Sequence, residues 1–307
     1  MSRRPARVSP PVRALEDPSL AALVVASHPL PAVTGGSALL DVDGRLLAIH
    51  DDAFRVSWID RASFAVTPLM LLGDGAPLAK PDKPDFESAV RTPDGAVHVL
   101  GSGSTEKRCF VARIDPGNSV ALRHRPALYR AIQKALGSGE RPNIEGAVVV
   151  NERLRVFNRA AGRTPNASVD LPLAALHGRE PRVLAVQLFE LGTLEGVRLG
   201  FTDVAALPDG RNVFLAAAED APDAIADGPV TGSVVGLLEQ TASGVGARWT
   251  RLLGGDGRPS PYKVEGIAID RNVRGGWLLT DSDDPRVPAM LLRVELRGFA
   301  LPRVEAP

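Results

Sequence analysis

One pattern recurs five times along the 307-residue chain: a polar or acidic residue, a strand-like apolar run, a turn, and a second apolar run. It reads SALLDVDGRLLAIHDD from Ser37, ESAVRTPDGAVHVLGSGS from Glu87, EGAVVVNERLRVFNRA from Glu145, DVAALPDGRNVFLAAAED from Asp203 and EGIAIDRNVRGGWLLTDSDD from Glu265. A fixed internal period means one supersecondary unit repeated, each unit burying its apolar face against its neighbours. Here the unit begins as a β-hairpin. Three copies turn on Asp-Gly, the pair that tolerates the positive φ of a tight hairpin turn.

Further strand-like runs follow each hairpin: FRVSWID and FAVTPLMLL after the first, RCFVARID after the second, SVVGLLE and ARWTRLL after the fourth, AMLLRVEL after the fifth. Four antiparallel strands make a propeller blade. The anchors lie 50, 58, 58 and 62 residues apart, a blade with long loops. The stretch after Glu265 and the stretch from Ser19 to Ser37 together match one repeat in length. LAALVVAS is therefore expected as the outermost strand of the blade begun by Glu265, closing the ring and removing an open edge. The expected fold is all-β, a five-bladed propeller of four-stranded antiparallel blades over residues 19–307. Six blades are the alternative if 159–200 or 220–250 holds another unit. Residues 1–18 are expected to be a disordered basic tail. PALYRAIQKALGSG, with Leu128, Ile132 and Leu136 at helical spacing, Pro126 at its start and Gly137 beyond its end, predicts a short helix near 126–136, as a lid or a packing element.

Composition narrows the function. Lys+Arg and Asp+Glu are both 36, so no net field recruits nucleic acid or an anionic membrane surface. A single cysteine, Cys109, rules out an internal disulfide and any multi-cysteine zinc site. The apolar run Leu20 to Ala26 is short for an export signal and has Glu16 and Asp17 just before it, and no stretch reaches the ~20 apolar residues of a membrane span. A cytoplasmic monomer acting on a small molecule is expected.

Topology then turns spacing into a site. In a meander the entry to the first strand and the exit from the second lie on one face. With first strands lining the channel, Ser37, Glu87, Glu145, Asp203 and Glu265 are expected to meet at one mouth. The second-strand exits add His50, Asp51, Arg159, Glu219 and Asp281. Crowded carboxylates either hold protons or hold a cation, and a hard ion taking six to eight oxygens, Ca²⁺, suits an oxygen-rich ring better than Mg²⁺ or zinc. The metal-ligand candidates are Glu87, Glu145, Asp203 and Glu265, with Glu265 and Glu145 as catalytic candidates. Lys83 and Arg141, four residues before their acids, and Lys263, two before Glu265, are cations that could neutralise the ring without a metal and bind an anionic ligand.

The Glu-Gly-Ala/Ile strand openings, the Asp-Gly hairpins and TDSDDP resemble the esterase-like phytase propellers and, more loosely, the gluconolactonase and paraoxonase-type propellers. KPDFES, NIEGA, AAED and KVEG resemble segments of an uncharacterised bacterial propeller family. The lactonase resemblance implies a central calcium ion held by the four acids. The chain departs from that pattern in lacking asparagines at these anchors and a catalytic histidine pair. GSGSTEK lacks the Gly-Lys-Ser/Thr of a P-loop, and EDAPDAIADG lacks the alternation of a calcium loop. The expected activity is metal-dependent hydrolysis of a lactone, ester or phosphoester. A small-molecule-binding or protein-interaction propeller without turnover is the alternative.

Overall fold

A computed structural model describes residues 6–220, 228–242, 244–284 and 286–300. The architecture is all-β with one α-helix among these residues, its antiparallel meanders standing about a common axis in the manner of a propeller. Copy one forms Gly36–Val42, Arg45–His50, Arg55–Ile59 and Val66–Met70. Copy two forms Phe86–Arg91, Val97–Gly101, Phe110–Ile114 and Val120–His124. Copy three forms Ile144–Val150, Arg153–Asn158, Asn166–Pro172 and Ala185–Glu190, and copy four Val197–Ala206, Asn212–Glu219, Val230–Thr241 and Gly244–Leu253. The fifth series runs Val264–Ile269, Gly275–Thr280 and Ala289–Arg297, and its fourth strand is Ala21–Leu30, from the other end of the chain. A short parallel pairing, Leu252 with Ala22 and Leu253 with Leu23, joins the last two series into one ten-stranded sheet.

The hairpin chemistry is as the sequence predicts. Asp43 and Gly44 both take positive φ, 52° and 87°, the backbone a two-residue primed turn needs. The first strand of each copy packs against that of the next, and the first strand of copy five packs against that of copy one. Apolar side chains fill the space between neighbouring meanders, as where Leu47, Ile49 and Val56 of copy one meet Phe86 and Val99 of copy two.

The helix is Pro126–Leu136, ended by Gly137 in the left-handed conformation. Leu128, Tyr129 and Ile132 enter the core between copies two and three, so it is a packing element. Its Tyr129 hydroxyl donates to the Gly101 carbonyl at 2.8 Å and buttresses the second-strand exit of copy two.

The expected disordered tail is corrected over residues 7–16, and its residues 1–5 lie outside the described residues. Arg7–Arg13 is a strand pairing in parallel with Ala185–Glu190, and Leu15–Glu16 pairs with Arg248 and Trp249. The outer edges of copies three and four offer unpaired backbone groups, and the segment satisfies them. Pro10 and Pro11 fall where the register shifts, an edge position that does not need their missing N–H groups. No helix among the described residues is long and apolar enough to cross a membrane.

Candidate functional site

Every first strand carries a one-residue bulge at the same step. Pairing jumps from Gly36 to Ala38, Phe86 to Ser88, Ile144 to Gly146, Phe201 to Asp203 and Val264 to Gly266. The bulged residues are thus Ser37, Glu87, Glu145, Thr202 and Glu265, all buried. A bulge takes its residue out of the ladder and re-aims the side chain, which is why a carboxylate can sit at the mouth of an apolar strand. The glycines that follow two of the glutamates serve close packing: a Cβ on Gly266 would stand 2.7 Å from the backbone of Ala38 and Leu39.

Three bulges bring carboxylates together. One oxygen each of Glu87, Glu145 and Glu265 lies within 4.8 Å of the others. The other two bulges carry hydroxyls that lace neighbouring copies: Ser37 Oγ donates to the Phe86 carbonyl, and Thr202 Oγ1 to the Val264 carbonyl at 2.9 Å. Each acceptor precedes a bulged glutamate.

Asp203, expected as the fourth acid of the ring, sits one step past its bulge and is corrected to a backbone clamp. Its carboxylate accepts from Val204 N at 2.7 Å and Ile267 N at 2.8 Å, and from Leu39 N at 3.5 Å, tying three first strands together. Burial pushes its pKa well up, against those three amides. The ring position belongs to Thr202.

Two residues before the bulge stand Gly35, Asp85, Asn143 and Lys263, whose carbonyls accept from the amides of Asp51, Ser102, Arg159 and Asp281 at 2.9, 2.8, 2.8 and 3.3 Å. Side chains two apart on a strand share a face. Asn143 Nδ2 accordingly donates to Glu145 Oε1 at 2.5 Å, and Lys263 Nζ lies 3.2 Å from Glu265 Oε1. Asp85 and Asn143 are not among the residues the sequence points to, which are the cations four (Lys83, Arg141) or two (Lys263) residues ahead of the acids. The signal was the period of two in DFE, NIE and KVE.

The second-strand exits complete the mouth. Arg159 Nη2 pairs with Glu219 Oε2 at 2.6 Å, and its Nη1 lies 3.9 Å from Glu145 and 3.7 Å from Glu265. Lys263 also reaches Glu219 at 3.3 Å and Asp283 at 2.9 Å. Lys83 pairs with Asp51 and lies 3.1 Å from Asp85, which Arg108 also holds at 3.0 Å. Clefts of about 310 and 380 Å³ flank the mouth, both lined by Asp281 and Asp283.

Acids outnumber bases here. Asp51, Asp85, Glu87, Glu145, Glu219, Glu265, Asp281 and Asp283 face Lys83, Arg108, Arg159 and Lys263. Burial drives the consequence: Glu145 and Asp281 are each pushed up to about 8 and Asp51 to about 6. Burial and then the Glu145 carboxylate raise Glu87 well above the ordinary range, and burial also raises Glu265 despite Lys263. Glu219 goes the other way: burial acts to raise it, but Arg159 and Lys263 outweigh that and hold it below its ordinary value.

Two further expectations are corrected. His50 is fully buried, with Nδ1 2.8 Å from the Thr34 carbonyl and Nε2 2.9 Å from Ser57 Oγ, so both ring nitrogens are engaged within copy one. Burial and Arg55 pull its pKa down to about 3. Arg141 turns away from Glu145 and pairs with Glu106 at 2.7 Å, because its four-residue offset lies in the loop before the strand. Of the acidic loop 219–228, residues 221–227 lie outside the described residues.

No curated protein matches the chain. Among solved structures it is similar to the α-L-arabinofuranosidase of Podospora anserina in complex with cellotriose (11% identity, 92% of this chain and 98% of that one, TM-score 0.49). It is also similar to the PQQ-bound aldose sugar dehydrogenase of Streptomyces coelicolor (12%, 91% and 99%, TM-score 0.47) and to the glutaminyl cyclase of Myxococcus xanthus (11%, 94% and 99%, TM-score 0.44). Residues 32–296, a span that holds all five bulged strands, match one family, and the chain belongs to it: the Family of unknown function (DUF6929).

Proposed function

We propose that the chain is a five-bladed propeller, closed by the pairing of Ala21–Leu30 with Ala289–Arg297, whose channel mouth holds a divalent cation among Glu87, Glu145 and Glu265. We further propose that this site hydrolyses an ester, lactone or phosphoester. One observation carries the cation: Glu145, 4% exposed, keeps Oε2 buried without a hydrogen-bond partner, facing two other carboxylates. A buried acceptor without a partner costs about 1–3 kcal/mol, more when it is charged. An all-oxygen donor set fits Ca²⁺, which accepts variable geometry and completes its shell with water. The bound ion would polarise the oxygen of the group attacked.

The chain's own residues supply the rest. Lys263 and Arg159 hold Glu265 and keep it oriented to position a water. Glu145, held by Asn143, would hold the ion, and Glu265 is the base that takes the water's proton. Asp281 and Asp51, in the cleft beside the ring, bind the substrate's polar groups. A single small-molecule substrate and a cytoplasmic monomer remain part of this reading.

Calorimetric titration with calcium, together with melting curves, tests it. A cation bound only by the native state stabilises by ~2.7 kcal/mol at a hundredfold excess over its dissociation constant. Glu145→Gln should weaken calcium binding at least tenfold while circular dichroism stays unchanged. Absence of binding and of any melting shift with calcium, magnesium or manganese would sink the cation site. Arg159 and Lys263 inside the ring favour a second reading, a metal-free propeller that binds a small molecule without turnover. That outcome would leave the melting point indifferent to divalent ions at every pH.

A further inference from the structure

We infer that the mouth has two cation seats sharing Glu87, and that the ammonium of Lys83 permanently fills the second. The inference deepens the cation reading above. The second seat is the trio Asp51, Asp85 and Glu87, which again brings one oxygen from each residue within 4.8 Å of the others. Glu87 belongs to both trios, is 8% exposed, and accepts no hydrogen bond from the described residues, so it stands between the seats. Lys83 Nζ pairs with Asp51 and lies 3.1 Å from Asp85 Oδ1, its side chain 16% exposed. Asp85 is fixed from the far side: Arg108 Nη1 donates to Oδ2 at 3.0 Å, and Ser102 Oγ donates to the same oxygen. The seat is therefore rigid, oxygen-lined and already charged.

Two cations 3.5–4 Å apart are a general hydrolytic device, because one stabilises the attacking oxygen and the other the leaving oxygen. Here a side chain takes the place of the second ion. Lys83 lines the cleft beside the ring together with Asp281, so its side chain borders the space a substrate would enter. The reacting group is placed between the ring ion and Lys83, an arrangement that suits a substrate whose oxygens gain negative charge on both sides of the bond that breaks.

The experiment counts ions on the full-length protein. Wild type, Lys83→Met and Lys83→Arg are dialysed against manganese, desalted and measured by elemental analysis, with circular dichroism as the check of fold. Removing the ammonium leaves three carboxylates of which one, Asp85, is still paired with Arg108 among the described residues, and that charge recruits a second ion. Lys83→Met is expected to take up one more manganese per chain than wild type, and Lys83→Arg the same number as wild type. Equal counts in wild type and a folded Lys83→Met would overturn the inference. Lys83→Gln, which keeps a polar side chain of similar length, replaces the methionine variant if that one does not fold, with the same expected gain. A wild type that binds no manganese sinks the ring-ion reading alone, since the comparison between variant and wild type still decides the second seat.

Discussion

Copies one and four use the same backbone device as copies two, three and five and put it to opposite use. In all five a bulge lifts one residue out of the ladder at the channel mouth. Where that residue is Ser37 or Thr202, the side chain turns sideways and donates to the neighbouring copy's backbone, a contact that stabilises the native state. Where it is a glutamate, the side chain meets other carboxylates, and burial together with the neighbouring Glu145 charge raises the Glu87 carboxyl well above its ordinary range. The bulge is thus a mount, and the residue placed on it decides between fastening a neighbouring copy and gathering carboxylates.

The largest expected effect comes from the packing that lets the mounts stand close. Gly266→Val would drive a Cβ branch into the backbone of Ala38 and Leu39, neither of which can swing aside. A loss of about 3 kcal/mol in denaturant unfolding is expected, the upper end of the 1–3 kcal/mol that overpacking a close-packed site typically costs, because the obstructing atoms are backbone. Gly44→Val, in a turn with open space, should not show that steric term, although its φ of 87° imposes strain of its own.

Next comes pH. Glu145 titrates near 8 in the fold against an ordinary 4.5, because burial and Glu265 disfavour its charge more than Arg159 favours it. A folded pKa above the unfolded one means stability that is complete below about pH 4.5 and is lost as pH rises through about 8. Metal-free wild type should therefore lose about 2–4 kcal/mol relative to Glu145→Gln across that window, the upper figure being the linkage limit for the full shift. Calcium should remove most of the difference. Parallel urea titrations of the two proteins at pH 5 and 8.5, with and without calcium, measure it; identical pH slopes would refute the electrostatic reading of the ring.

The smallest effects sharpen the comparison most directly. Thr202→Val keeps the shape, removes the donor to the Val264 carbonyl, and should destabilise by about 1.5 kcal/mol. Glu87→Gln relieves the repulsion from Glu145, Asp85 and Asp51 and should stabilise the metal-free protein by about 1 kcal/mol. Melting shifts of the same sign in both variants would mean that the two kinds of bulge do not differ as described.

Much of this was legible before any coordinates. Repeat register and turn chemistry follow from residues whose backbone demands are local, such as Asp43-Gly44. The partnership of LAALVVAS with the last strand follows from repeat length, and Ala21–Leu30 does pair there. The convergence of Glu87, Glu145 and Glu265 was likewise readable, because period-two alternation makes a buried acid conspicuous. A bulge, by contrast, leaves no mark in the sequence. Aligning copy four on its first acid selected Asp203, whereas the backbone step belongs to Thr202. Arg141 and Lys83 share an offset of four from their acids, yet only Lys83 reaches the mouth, since loops preceding a strand carry no fixed period. The strand Arg7–Arg13 was hidden by two prolines that an edge position tolerates.

The pairing of Ala21–Leu30 with Ala289–Arg297 has a bearing on how the molecule is made. Ala21–Leu30 lies roughly 260 residues before its full-length antiparallel partner, and synthesis at ~5–20 residues per second separates the two by many seconds. This is the longest-range ladder among the described residues, and nascent copies have an interval in which the same strand could be donated to a neighbour.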